Sequence, residues 1–407
     1  MEKILHLCFL LCIAFMAKGD DIEDETKLYD KLFSEKNYNR NIRPPLNITG
    51  SVAVIVGLEL VSIIGVDEAK SSLTIQGRMK FSWKDKRLQW NPEDYGLGIS
   101  ELRVPIEKVW QPDITLFNPA DGAALQYSTA LAVVNSRGDV LYVPSAILKS
   151  TCFVDMTYFP YDTQKCSIKF GSWAYHDYQI SLDNYEEIEV INQRDYSASQ
   201  EWEVTSTTAK HNIYFYLCCQ EPYPHVTYTL NLKRRGHLFG LVYVAPIVFL
   251  AILCPILFLL PYSVHQRFSL GGCFLICLVI LLSSLEKIYP LSQGTLPHLA
   301  KYYISVIVLL VLNLLLSAGI MNCADRSSRP NSLPRIIKKV FVDGLGKVLC
   351  VSSESDDAYL NEEGQEKSSK KIQNNDWHAF ATVLDRFFFV CYVILTVILS
   401  LVFLVRA

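Results

Sequence analysis

The chain has 407 residues, half of them hydrophobic and only 19% charged, with a formal net charge of −3. That balance excludes the basic surface nucleic-acid binding needs, so nucleic acid is not an expected partner; the composition is that of a membrane protein attached to a folded domain. Gly-x-Ser-x-Gly, His-Glu-x-x-His and phosphate-loop motifs are missing and the eight histidines are scattered, so a membrane-anchored enzyme has nothing to carry its chemistry.

In chain order, Glu2 and Lys3 precede the apolar run Ile4 to Ala14, and Ala17-Lys18-Gly19 supplies small residues, so residues 1–19 read as a removed secretory signal. Residues 20–236 then form an exported domain. In LTIQGRMKFSW, Leu73, Ile75, Met79, Phe81 and Trp83 occupy one face and Thr74, Gln76, Arg78, Lys80 and Ser82 the other, the period of a strand. VTYTLNLK alternates likewise through Val226, Tyr228, Leu230 and Leu232. Short runs such as SVAVIVGLEL, VLYVP and CSIKF, separated by Pro, Gly, Asn and Asp clusters, predict a β-sandwich. Asn47-Ile48-Thr49 is the one glycosylation sequon.

Cys8 and Cys12 leave with the signal, so this domain holds Cys152, Cys166, Cys218 and Cys219. An exported domain permits disulfides, and four cysteines allow three connectivities. Joining Cys152 to Cys166 closes a small loop and removes about 3 kcal/mol of unfolded-chain entropy. Cys218 and Cys219 are then left to bond each other through a strained vicinal bridge, or to stay as two thiols.

Beyond residue 236 four apolar segments, 238–260, 268–285, 302–321 and 387–405, are each long enough to cross a bilayer as a helix. Pro246 and Pro255 in the first favour a packed bundle, where neighbouring helices satisfy freed carbonyls. With residues 20–236 outside, residues 322–386 are cytoplasmic and carry ten Lys and Arg, and residues 406–407 return outside. Within that loop SSESDDAYLNEEGQEKSSKK reads as disordered, and residues 376–386 as an amphipathic helix.

Two cysteines thirteen residues apart around FPYD, together with Trp110-Gln111-Pro112-Asp113, FGSW at 170–173 and YLCCQEPYP at 216–224, resemble the Cys-loop family of pentameric ligand-gated ion channels. The last stretch is similar to nicotinic acetylcholine receptor α-type subunits. The resemblance implies an all-β, Ig-like extracellular sandwich of about ten strands, a four-helix transmembrane bundle and a ring of five at the plasma membrane, with a postsynaptic site as one location. It also implies that Phe159, Pro160, Tyr161 and Asp162 couple ligand binding to the pore, and that Cys218 and Cys219 form the vicinal bridge.

The resemblance places a ligand cage on Phe117, Trp173, Tyr216, Cys218, Cys219 and Tyr223, since a quaternary ammonium is drawn to aromatic faces by roughly 2 kcal/mol when desolvated. Phe117 stands where the family usually has tyrosine. A complementary face falls on Arg78, Val133, Leu141 and Val143, and Arg78 replaces the family's usual tryptophan, so its charge is expected to oppose a cationic ligand. In RFSLGGCFLICLVILLSSLEK, helical spacing puts Ser269, Cys273, Ile276, Ile280 and Ser284 on one stripe, a pore lining in which Ile276 closes by dewetting. At the inner mouth Gln266 is neutral where cation channels of the family carry glutamate; at the outer mouth Glu286 and Lys287 oppose each other. The implied function is an acetylcholine-gated cation channel subunit. Its partners are acetylcholine or another amine, Na+ and K+, membrane lipid and related subunits, with no cofactor or metal. The alternative is a pentamer with another ligand or anion selectivity, or an obligate heteromeric partner.

Overall fold

A computed structural model describes residues 23–44, 50–95, 98–122, 126–184, 191–261, 266–289, 296–325, 333–349 and 365–406. The expected signal at 1–19, the Asn47 sequon and much of the charged cytoplasmic run lie outside them. The chain divides into two compact units, Met1–Val154 with Thr163–Arg234, and Asp155–Asp162 with Arg235–Ala407.

The first unit holds eleven strands among the described residues: β1 Val52–Asp67, β2 Ser72–Lys84, β3 Glu101–Pro105, β4 Ile114–Leu116, β5 Leu131–Asn135, β6 Asp139–Tyr142, β7 Ser145–Thr151, β8 Thr163–Ser172, β9 Ile180–Asn184, β10 Trp202–Phe215 and β11 Pro222–Arg234. One sheet runs β3-β5-β6-β2-β1-β9 with β7 also on β2; the other runs β10-β11-β8-β4. In β2, Leu73, Ile75, Met79, Phe81 and Trp83 are buried while Thr74, Arg78, Lys80 and Ser82 are half-exposed, as the alternation requires. Antiparallel pairing of β2 with β1 sets Arg78 opposite Glu59. Strand β11 is central in its sheet, and the Tyr228 hydroxyl on it donates to the Val56 carbonyl of β1 (2.8 Å), tying one sheet to the other.

Both cysteine pairs are bonded, with Cα atoms 5.0 Å apart for Cys152–Cys166 and 3.8 Å for Cys218–Cys219.

In the second unit four helices are long and apolar enough to cross a membrane: α1 His237–Leu259, α2 Gln266–Glu286, α3 His298–Asp325, and Asp376–Val405 within the longer α4 Gln365–Arg406. The amphipathic stretch 376–386 is thus continuous with the fourth span, its Trp377 buried against Leu333 and Val342. Near the α1 prolines, neighbouring side chains supply donors to the backbone: the Tyr303 hydroxyl reaches the Tyr243 carbonyl (2.6 Å) and the Asn313 amide the Cys254 carbonyl (3.0 Å).

Candidate functional site

An aromatic cluster gathers at one end of the four-stranded sheet. Phe117 follows β4, Trp173 follows β8, and Tyr216 and Tyr223 stand on either side of the β10–β11 turn that carries the bonded Cys218 and Cys219. Phe117 and Trp173 have ring centroids 5.6 Å apart, and Tyr216 and Tyr223 also 5.6 Å. Trp173 is 73% exposed. An indole face turned to water, rather than into the core, is the chemistry that attracts an organic cation.

Two residues that sequence reasoning assigned no role in the ligand cage hold this cluster. Asp113, last of Trp110-Gln111-Pro112-Asp113, accepts from the Ser172 hydroxyl through Oδ1 and from the Ala174 N–H through Oδ2 (2.7 Å), clamping the turn that presents Trp173. His225 lies on β11 on the face opposite Val226 and Tyr228, where alternation predicts exposure, yet it is 2% exposed. Its ring meets Phe117 at 4.4 Å, Tyr214 at 5.0 Å and Tyr216 at 6.2 Å. Gly171 makes the space: a Cβ there would come within 2.8 Å of both Phe117 Cε2 and His225 Cδ2. No periodic pattern in the sequence reveals a ring buried by other rings.

The tip of the Cys152–Cys166 loop belongs to the second unit. Phe159 is buried there against Phe239 (5.5 Å) and Tyr243 (6.2 Å) of α1, and the Thr157 carbonyl accepts from the N–H of His298, which begins α3. Gly236 and Gly240 admit the loop: an added Cβ would strike the Pro160 carbonyl at the first and come 2.8 Å from the Tyr161 hydroxyl at the second. Asp162 is buried and Tyr161 exposed.

Residues 25–236 match the neurotransmitter-gated ion-channel ligand binding domain and residues 243–373 the neurotransmitter-gated ion-channel transmembrane region. The chain belongs to the neurotransmitter-gated ion-channel family. It is 34% identical over 333 residues to "Acetylcholine receptor subunit alpha-L1" of Schistocerca gregaria, covering 80% of this chain and 59% of that protein. Against "Neuronal acetylcholine receptor subunit alpha-5" of Homo sapiens it is 32% identical over 406 residues, 93% of this chain and 85% of that one. It is also 34% identical over 336 residues to "Acetylcholine receptor subunit beta-like 1" of Drosophila melanogaster, 83% and 64%. The chain therefore spans about three-fifths of its insect relatives and most of the human one. The family is one of ligand-gated channels at the plasma membrane, not of enzymes, with an extracellular binding domain ahead of four membrane helices.

The residues expected to form a complementary face are all half-exposed: Arg78, Val133 and Leu141 lie on the outward side of the seven-stranded sheet, with Val133 paired opposite Leu141, and Val143 follows β6. They sit on a different sheet from the aromatic cluster. Arg78 does not project a bare charge: its Nε is 3.5 Å from Glu59 Oε2 and its Nη2 pairs with Asp195.

Along α2 of this channel chain, Gln266, Ser269, Cys273, Ile276 and Ile280 are exposed and Ser284 is half-buried, while Arg267, Gly271, Leu278 and Leu285 are buried. At about 100° per residue these two sets lie on opposite sides of the helix. Leu270, Cys277, Val279 and Ser283 widen the exposed arc beyond the stripe. Gly271 lets α3 approach, its missing Cβ leaving room for Leu314. Arg267 is 1% exposed and forks onto Asp385 of α4 at 2.9 and 3.1 Å, with a further bond to the Leu260 carbonyl. Glu286 and Lys287, at the far end of α2, are both exposed.

Proposed function

We propose that this chain is a subunit of an acetylcholine-gated, cation-conducting pentamer, opened by agonist bound between the aromatic cluster of one subunit and the outward sheet face of the next. The observation that carries this is the exposed Trp173 face beside Phe117, Tyr216, Tyr223 and the Cys218–Cys219 bridge. Because the cluster and the complementary positions occupy different sheets, a site built from both calls for two subunits. Arg78 is less of an obstacle to a cationic agonist than its sequence position implies. With Glu59 and Asp195 as partners, its local cluster carries one more negative than positive charge. The loop tip around Phe159, Pro160, Tyr161 and Asp162 is the part that passes binding to α1 and α3, and Ser269, Cys273, Ile276, Ile280 and Ser284 line the pore for Na+ and K+.

The test is recording from cells expressing the chain alone and with related subunits while acetylcholine is applied. Acetylcholine-evoked current in the parent and its loss in Trp173→Ala, with surface labelling unchanged, is the expected result. A Trp173→Ala channel as sensitive as the parent would remove the cage assignment, and silence in every subunit mixture would remove acetylcholine as the agonist.

A further inference from the structure

His225 is the one histidine enclosed by the aromatic cluster, and its two ring nitrogens are both engaged. Nδ1 lies 3.2 Å from the Tyr223 carbonyl and Nε2 lies 3.2 Å from the Tyr216 hydroxyl. A carbonyl only accepts, so Nδ1 carries the hydrogen; in the neutral ring Nε2 is then a lone pair, and the Tyr216 hydroxyl must be the donor. That assignment fixes which way the Tyr216 phenol points and commits its hydrogen inward, away from the ligand side. Burial is also the main cause that holds the His225 pKa below its ordinary value, opposed by the Tyr223 hydrogen bond. Lys169 of β8 and His211 of β10 act on the ring in one direction, favouring its neutral form. The ring's aromatic neighbours are the phenols Tyr214 and Tyr216 and the apolar Phe117.

We propose that His225 is a positioning residue and proton switch of the agonist cage: neutral, it accepts from Tyr216 through Nε2, and protonated, it reverses that hydrogen bond, turning the phenol hydrogen away from itself, and repels a cationic agonist from behind Phe117. The proposal rests on the reading of this cluster as the cage. Taking up a proton turns Nε2 from acceptor into donor, so the Tyr216 hydroxyl has to rotate its hydrogen elsewhere, and places a positive charge 4.4 Å from the Phe117 ring. Agonist and proton then compete: affinity is full above the titration of His225 and falls as pH drops through it.

Two readouts on the full-length chain test this. First, 15N-histidine spectra in detergent should contain one ring in the Nδ1–H form that titrates below the ordinary histidine range. It should disappear in His225→Gln and move further downward in Tyr216→Phe, because the phenol oxygen that accepts from the protonated ring is lost. Second, the half-maximal acetylcholine concentration should rise about tenfold from pH 7.5 to 5.5 in the parent, the size of a partly screened like-charge contact. His225→Gln, whose amide accepts but does not titrate, should flatten that profile, whatever its sensitivity at pH 7.5. An Nε2–H ring, an upward-shifted titration, or the same acid shift in His225→Gln as in the parent would overturn the proposal. Silence to acetylcholine alongside a Tyr216-linked titration would instead sink the agonist reading and leave the histidine–tyrosine link standing.

Discussion

Gly171 shows how a single missing atom shapes the aromatic cluster. Its position in β8 is not one that demands an unusual backbone; what it supplies is room for the Phe117 and His225 rings. Gly171→Ala should force one of them aside, an overpacking cost of about 1–3 kcal/mol, and raise the half-maximal acetylcholine concentration at least several-fold while the protein still reaches the surface. Concentration–response curves with surface labelling check this, and an unshifted curve would mean the rings yield without cost. At Arg78 two effects oppose each other. Arg78→Trp exchanges a cation for an aromatic face, which favours a cationic agonist, but it strips the buried Glu59 of a partner, at about 1–3 kcal/mol. Sensitivity to acetylcholine in a homomer should therefore rise while surface expression falls. Sensitivity unchanged with expression confirmed would mean that this side chain does not reach the agonist.

The elements themselves were largely legible. The period-two runs around Leu73–Trp83 and Val226–Leu232 became β2 and β11 because each buries one face, and four apolar runs became four helices because their length and hydropathy admit little else. What could not be read were effects of elements meeting. His225 is buried on the side of β11 that alternation assigns to solvent because rings from β10 and the segment after β4 cover it. Arg267, a charge at the start of an apolar helix, has no partner that spacing along the chain reveals, yet its helix turns it inward onto Asp385, 118 residues away. A buried pair of this kind costs more when one partner is removed than when both are replaced by apolar groups. Arg267→Met and Asp385→Leu should each lower the melting temperature of the detergent-solubilised protein, by the equivalent of about 3 kcal/mol or more. The double variant should recover most of it, and equal, additive losses would show that the two charges are not coupled.

For the whole molecule, the proposal that α2 lines the pore makes the charges along it the determinant of which ions an assembled ring conducts. At its first turn the exposed residues Gln266 and Ser269 are neutral, and Arg267 is buried in an ion pair with Asp385. At the other end Glu286 and Lys287 are both exposed and cancel. If α2 lines the pore as proposed, the described residues leave no uncompensated charge at either end of it, so the pore should discriminate weakly, and burial of the Arg267 cation removes what would have drawn anions. The reversal potential of the agonist-evoked current should then shift when bath sodium is replaced and shift less when chloride is replaced. Gln266→Glu would place five carboxylates where the parent has five amides, and should abolish the remaining chloride dependence without changing agonist sensitivity. A parent current that follows chloride would show that Lys287 outweighs Glu286 and that the pore passes anions; a Gln266→Glu channel with unaltered selectivity would show that residue 266 does not face the ion path.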